Sequence, residues 1–229
     1  MFERSALSDG VTAQSDEQNR LKARFLGLWE RYFGRSEPTS EFVLNRLVAL
    51  YAEPHRHYHT LNHIQHCLRQ FDQVVEWIQD PDAVELALWF HDAIYVSGAK
   101  DNERRSADLF LEYANERIDA GFRQQIDDLI MVTTHSGLPS RPDEQFIVDI
   151  DLSSFGLPWE AFMQDGLRIR AEFAEVADDE YYPGHLRFLR ALWERPSFFL
   201  TDCFRQCYEH TARANIERLI NELAMRGYA

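Results

Sequence analysis

The apolar positions of this chain repeat with a helical period almost from end to end. Leu21, Phe25, Leu28, Trp29 and Tyr32 stand three and four residues apart, which gathers them on one face of a helix starting near Asn19. The stretch GRSEPTSE then breaks the period with Gly34 and Pro38. Thr39 or Ser40 is placed to cap a second helix, which carries Val43, Leu44, Leu47, Leu50 and Tyr51 and stops at Pro54. A third helix spans about 61–78, with Ile64, Leu68, Phe71, Val75 and Ile78 inward. DPD at 80–82 opens a fourth, with Pro81 in its first turn. The fourth helix reads AVELALWFHDAIYV, which leaves almost no polar face and marks it as buried. Further helical periods cover about 102–119, 121–135, 142–152, 158–177, 183–194, 198–206 and 208–226. No alternating strand pattern, internal repeat or glycine-rich phosphate loop accompanies them, so the expected fold class is all-α. Residues 1–16 are polar and aperiodic and read as a flexible tail ahead of a single all-α domain over 17–229.

Composition narrows the function classes. The chain is 45% hydrophobic and 27% charged, as a globular protein is, and its 229 residues suffice for a sizeable core. A formal net charge of −14 repels phosphate backbones and anionic lipid, so neither a nucleic-acid polymer nor a membrane is an expected partner. No apolar run approaches the roughly 20 residues of a membrane span. The first residues lack the basic and apolar regions of a signal peptide. Three cysteines, Cys67, Cys203 and Cys207, make no disulfide framework, and the expected location is cytoplasmic. Cys203 and Cys207 stand one helical turn apart, but such residues act more often as small buried hydrophobes than as a shared metal site.

The chemistry concentrates around LWFHDAIY at 88–95, where His91 and Asp92 interrupt a greasy stretch. A buried carboxylate without a partner costs several kcal/mol, so Asp92 requires a cation, a cap or a metal ion. Neighbouring helical residues point about 100° apart, and the pair converges on one ion only with help from other helices. A His–Asp pair satisfied by core hydrogen bonds is the plainer alternative. Upstream lie His55, His57, His59, His63 and His66, five histidines in twelve residues, a bias typical of metal sites and also of solvated loops. Downstream, His135 ends an apolar helix in MVTTHSG, and Asp149 and Asp151 sit in the apolar run FIVDIDLSSFG. A C-terminal cap for His135 and an N-cap or ion pair for Asp151 are the competing readings.

Taken in order, His63, the pair His91–Asp92 and, about sixty residues on, Asp151 resemble the HD superfamily of metal-dependent phosphohydrolases. The segments YHTLNHI (58–64), ALWFHDAIY (87–95), DNERRSA (101–107), THSG (134–137), DIDLSSFG (149–156) and ARANIE (212–217) are similar to a bacterial group of that superfamily with no assigned substrate. The resemblance spans about residues 20–220. It implies an HD-domain helical bundle, with its core at about 55–155, followed by additional C-terminal helices over 157–229. It also implies His63, His91, Asp92 and Asp151 as metal ligands. His135 is the one obvious extra histidine, so a single ion is expected rather than a pair. Histidine and carboxylate ligands suit Mn²⁺, Mg²⁺, Fe²⁺, Co²⁺, Ni²⁺ or Zn²⁺. The chain departs from the group in YYPGHLR, where His185 stands in place of an arginine soon after the glycine.

The activity implied is hydrolysis of a phosphate ester in a nucleotide or another small phosphorylated metabolite. Asp92 would bind the metal and orient the attacking water. Glu103 would serve as general acid or base, with a first-turn glutamate favoured by the helix dipole as its alternative. His59, Asn62 and His135 are candidate substrate contacts. Arg104 and Arg170 are candidates for the fixed positive charge that phosphate needs. A non-enzymatic metal-binding or regulatory helical domain and an HD-type iron oxygenase are the other readings, the latter needing more histidine ligands than the sequence supplies. The sequence is compatible with a homo-oligomer.

Overall fold

The structure is a computed structural model and describes residues 4–35 and 38–228. Among them are ten α-helices, two short 3-10 segments and no strand. The helices are α1 (Arg4–Phe33), α2 (Ser40–Leu50), α3 (Leu61–Val74), α4 (Pro81–Phe90), α5 (Asn102–Ala114), α6 (Ala120–Val132), α7 (Pro142–Asp151), α8 (Trp159–Glu172), α9 (Asp178–Trp193) and α10 (Asp202–Met225). Side-chain caps set several starts. The hydroxyl of Thr39 accepts from the Phe42 amide, that of Thr60 from the Asn62 amide, and Asp80 accepts from the Ala83 amide ahead of Pro81.

The architecture is organised around α4. Every residue from Ala83 to Phe90 is buried, as a helix apolar on all sides requires. Helices α3, α5, α6 and α7 pack around it. From α1, Phe25 meets Trp89 edge-on at 5.0 Å and Trp29 stacks on Phe90 at 6.0 Å. Glu85 is the one acidic residue in the buried stretch 83–90 of α4. Arg24 of α1 donates two hydrogen bonds to it, at 2.8 and 2.9 Å, and so matches the buried charge.

The C-terminal helices close over a 3-10 segment, Leu152–Gly156, that follows α7. Helices α8 and α10 both pack on it. Asn215 of α10 donates to the carbonyls of Phe155 and Leu157 at 2.9 and 2.8 Å. Asp149 of α7 accepts from the amides of Leu200 and Thr201 and from the Thr201 hydroxyl, which fixes the chain entering α10. No helix among the described residues is long and apolar enough to cross a membrane.

Several boundaries differ from those the periodicity predicts. Helical backbone begins at Arg4, inside the stretch expected as a tail, and residues 1–3 lie outside the described residues. A helix anchored by its packed half extends through residues of fair propensity without needing an apolar period. Helix α4 stops at Phe90 and does not run through Val96. Helix α3 stops at Val74 and tightens into a 3-10 turn over 75–77. Helix α5 stops at Ala114, where Asn115 turns to φ +50°. Helix α9 starts at Asp178, five residues before Pro183, with Asp178, Asp179 and Glu180 favourably placed at the positive end of its dipole. Residues 202–225 form one helix, not two.

Gly156, in the 3-10 segment, lies close against Tyr208 of α10. A Cβ there would stand 2.5 Å from the Cβ of Tyr208. Gly156→Ala should therefore lower the unfolding free energy by about 1–3 kcal/mol. Gly27→Ala, on α1 with nothing within 4 Å of the added carbon, should raise it by up to about 1 kcal/mol. Urea midpoints of the two variants test the pair, and equal midpoints would mean that Tyr208 yields freely.

Candidate metal centre

Four side chains from three elements converge at the end of α4. His63 lies in the first turn of α3, and His91 and Asp92 form the turn that leaves α4. Asp151 is the last residue of α7. His63 Nε2 is 3.3 Å from His91 Nε2 and 3.1 Å from Asp151 Oδ1. Asp92 Oδ2 is 3.0 Å from His91 Nε2 and 3.4 Å from His63 Nε2. Asp151 Oδ1 lies 3.5 Å from His91 Nε2. Both histidines are buried and both carboxylates nearly so.

The hydrogen-bond roles show what these atoms need. His91 Nδ1 lies 2.9 Å from the carbonyl of Leu88, which can only accept, so the proton of the neutral ring sits on Nδ1. Its Nε2 is then a bare lone pair facing carboxylate oxygens. Such a set requires a shared positive charge. A proton on His91 is one form. Burial opposes that proton, but Asp92 and Asp151 together outweigh burial and hold the imidazole well above its ordinary range. A divalent cation is the other form. Donor atoms about 2.1 Å from one ion and about 90–110° apart stand about 3.0–3.4 Å from each other. The separations here, 3.0 to 3.5 Å, match that spacing. His63, His91 and Asp151 thus form a group able to hold a metal ion.

The turn carrying the pair is held by a residue the periodicity does not reveal. Arg56 is buried under the loop before α3. It donates to the carbonyls of Asp92, Ala93 and His59 and to the carboxylate of Glu53. A fixed cation thus satisfies carbonyls at the negative end of α4, and the chain turns there instead of continuing as helix. The segment beyond is pinned by two residues of DNERRSA. Asn102 exchanges two hydrogen bonds with the backbone of Val96, and the Ser106 hydroxyl accepts from the Ile94 amide.

Glu172, the last residue of α8, ties the C-terminal helices to the histidine-rich loop. Its Oε1 accepts from the amides of His57, Tyr58 and His59 at 2.7–2.9 Å, and its Oε2 lies 2.6 Å from His59 Nδ1. Burial pushes this carboxyl up, but the His59 ring and the amides pull it down further, to about 2. No periodic signal marks Glu172 or Arg56; each is recognisable only once the fold shows a buried charge with several partners.

The remaining expected site residues divide into two groups. His135 joins the cluster's edge, with Nε2 2.9 Å from Asp151 Oδ2, and its backbone adopts φ +53°. Its Nδ1 is buried without a partner among the described residues. His59 stacks on Tyr95 at 4.1 Å and lines a cavity together with His135 and Asp151. Glu103 is partly buried in the first turn of α5. Burial raises its carboxyl, and the nearby charge of Asp92 raises it further. Asn62 is exposed on α3, beside a second cavity reached by His63. The structure does not bring the two arginines to the cluster. Arg104 pairs with Asp108 and Asp127. Arg170 pairs with Asp178 and closes the turn after α8 through the carbonyls of Phe173 and Val176. Both guanidinium groups are already satisfied locally. Of the other clustered histidines, His66 contacts Ser153 and is lowered by burial to about 4, His55 meets the Tyr95 carbonyl, and His57 is exposed. Cys67 is buried against His63, while Cys207 is exposed on α10 and so is no buried hydrophobe.

No family model, curated protein or solved structure matches the chain.

Two outcomes follow from the supports of the site. Arg56→Lys keeps the charge but loses the planar fork, and should weaken Mn²⁺ binding by about 10–100-fold, as loss of outer supports does at metal sites; titration calorimetry reads it, and unchanged affinity would show that the turn holds itself. The carboxyl of Glu172 lies below its unfolded value of about 4.3. Its stabilisation is therefore complete above that pH and lost as pH falls toward about 2. In Glu172→Gln this acid-side loss, on the order of 2–3 kcal/mol in the parent protein, should be absent from denaturant unfolding followed over a pH series.

Proposed function

We propose that this chain is a metal-dependent phosphoric ester hydrolase of HD type, acting on a small phosphorylated metabolite with one divalent cation held by His63, His91, Asp92 and Asp151. The observation that supports it is the convergence of two histidine Nε2 atoms and carboxylate oxygens at metal-ligand spacing, beside cavities large enough for a metabolite. A closed structural metal needs no such access.

When bound, a divalent cation lowers the pKa of water and polarises a phosphoryl oxygen. In the reaction the water oxygen bonds to phosphorus, the ester P–O bond breaks and one water proton ends on the departing oxygen. Asp92, whose Oδ2 faces the Nε2 atoms of both His91 and His63, would orient the water. Glu103, a partly buried carboxylate raised by burial and by the charge of Asp92, would take the proton from the water and pass it to the departing oxygen. His135 braces Asp151 from the side opposite the two ligand histidines. Arg56 and Glu172 hold the turn and the loop from behind.

Metal content after chelator stripping and reloading with Mn²⁺ should be about one ion per chain in the parent protein and close to none in His91→Ala and Asp151→Ala. The loaded parent should release phosphate from a panel of phosphomonoesters and diesters, and both variants should lose at least about a hundredfold in rate. A protein that binds the ion but releases phosphate from no member of the panel would overturn the hydrolase reading.

A further inference from the structure

Two cavities flank the cluster, and their chemistry is opposite. One, of about 380 Å³, is polar and holds Arg69 and Arg168 with His57, His63 and His66. The other, of about 510 Å³, opens beside Asp151, His59 and His135. That volume lies within the roughly 300–1,000 Å³ of small-molecule sites. Its walls are rings and aliphatic groups from the 3-10 segment after α7, from α8 and from α9, including Phe155, Phe173, Tyr181 and Phe188. Phe188 keeps 40% of its surface exposed at this site, unusual for a phenylalanine with an adjacent core to enter.

No lysine or arginine among the described residues lines the second cavity. Its carboxylates are Asp151 and Glu180, and its third histidine, His185, is lowered by burial to about 4 and is neutral at ordinary pH. A second phosphate or a carboxylate placed there would meet Asp151 and Glu180 and no lining lysine or arginine among the described residues; the one lining imidazole that its neighbours raise, His59, is already paired with Glu172 at 2.6 Å. The walls instead include flat ring pairs. His59 lies on Tyr95 at 4.1 Å with planes 24° apart, and Tyr181 lies on His185 at 5.4 Å with planes 16° apart. Such surfaces favour a planar guest that makes face or edge contacts.

We infer that the cavity between the cluster and α9 receives an uncharged aromatic group of the substrate, so that the preferred substrate class is an ester joining a single phosphate to an aromatic or heteroaromatic moiety. This rests on the hydrolase reading only for the word ester; the cavity's preference for a neutral ring stands on the lining residues.

Gly184 offers a clean way to fill the cavity. It lies in α9 on the cavity wall, and a Cβ there meets nothing closer than the guanidinium of Arg187 at 3.8 Å. Leucine at this position also has the better helix propensity, so the variant should fold. Gly166, on α8 with nothing within 4 Å and outside this cavity, is the control. The probe is 1-naphthol, a neutral ring without phosphate, measured by calorimetry on protein loaded with Mn²⁺. Binding should weaken at least about tenfold in Gly184→Leu and stay unchanged in Gly166→Leu, a loss of the size that removing one apolar contact surface produces. The parent should also hydrolyse 1-naphthyl phosphate with a kcat/KM at least about tenfold above that for glycerol 2-phosphate. Absence of naphthol binding, equal binding in Gly184→Leu, or equal kcat/KM for the two esters would overturn the inference. Naphthol binding of the expected pattern with no phosphate released from either ester would instead uphold the ring-binding cavity and remove the hydrolase reading.

Discussion

The Nε2 atoms of His63 and His91 and the oxygens of Asp92 and Asp151 face one another inside the protein, at separations of 3.0 to 3.5 Å. Left without a shared positive charge, such a set is among the costliest arrangements a core can hold. The fold has to keep the four groups together against their mutual repulsion, and much of the buried polar structure serves that end. Leu88 fixes the His91 tautomer through its carbonyl, Arg56 fastens the carbonyls on both sides of the turn, and His135 holds the outer oxygen of Asp151. Rigidity of this kind lets a cation replace a proton without the chain rearranging.

The same constraint explains why the C-terminal helices are packed where they are. Glu172 reaches three consecutive amides and the ring of His59, so α8 positions the loop that leads into α3 and its His63. Asn215 and Asp149 lock the 3-10 segment directly after Asp151. Residues 157–228 therefore act on the cluster from both flanks, and α8 and α9 also build the apolar cavity beside it.

Much of the fold is legible in the sequence because helical burial leaves a period. The apolar faces of α1, α2 and α3 and the all-round apolar α4 need no tertiary information. The cluster is legible in part, since a histidine and an aspartate in a greasy run demand partners. What misleads is continuity. The apolar run of 83–96 reads as one helix, yet the chain breaks at His91, because Arg56 offers the carbonyls there a better partner than another helical turn. Arg104 and Arg170 mislead for the converse reason: an arginine's type says it can hold phosphate, but Asp127 and Asp178 reach those guanidinium groups first.

The sequence by itself determined the helical class, the buried fourth helix and the identity of the residues that need a cation. These follow from periodicity and from the cost of burying charge, both of which are local properties of the chain. Only the tertiary structure decided which of the clustered histidines joins His91 and Asp151, which cations support the backbone and which cavity is lined mainly by rings. His63 is selected over His66 by the rotation of α3 against α4, while His55, His57 and His59 stay in the loop before α3, and Glu172 finds that loop across more than a hundred residues of chain. Such choices depend on distances between elements far apart in sequence, and no period or composition carries that information.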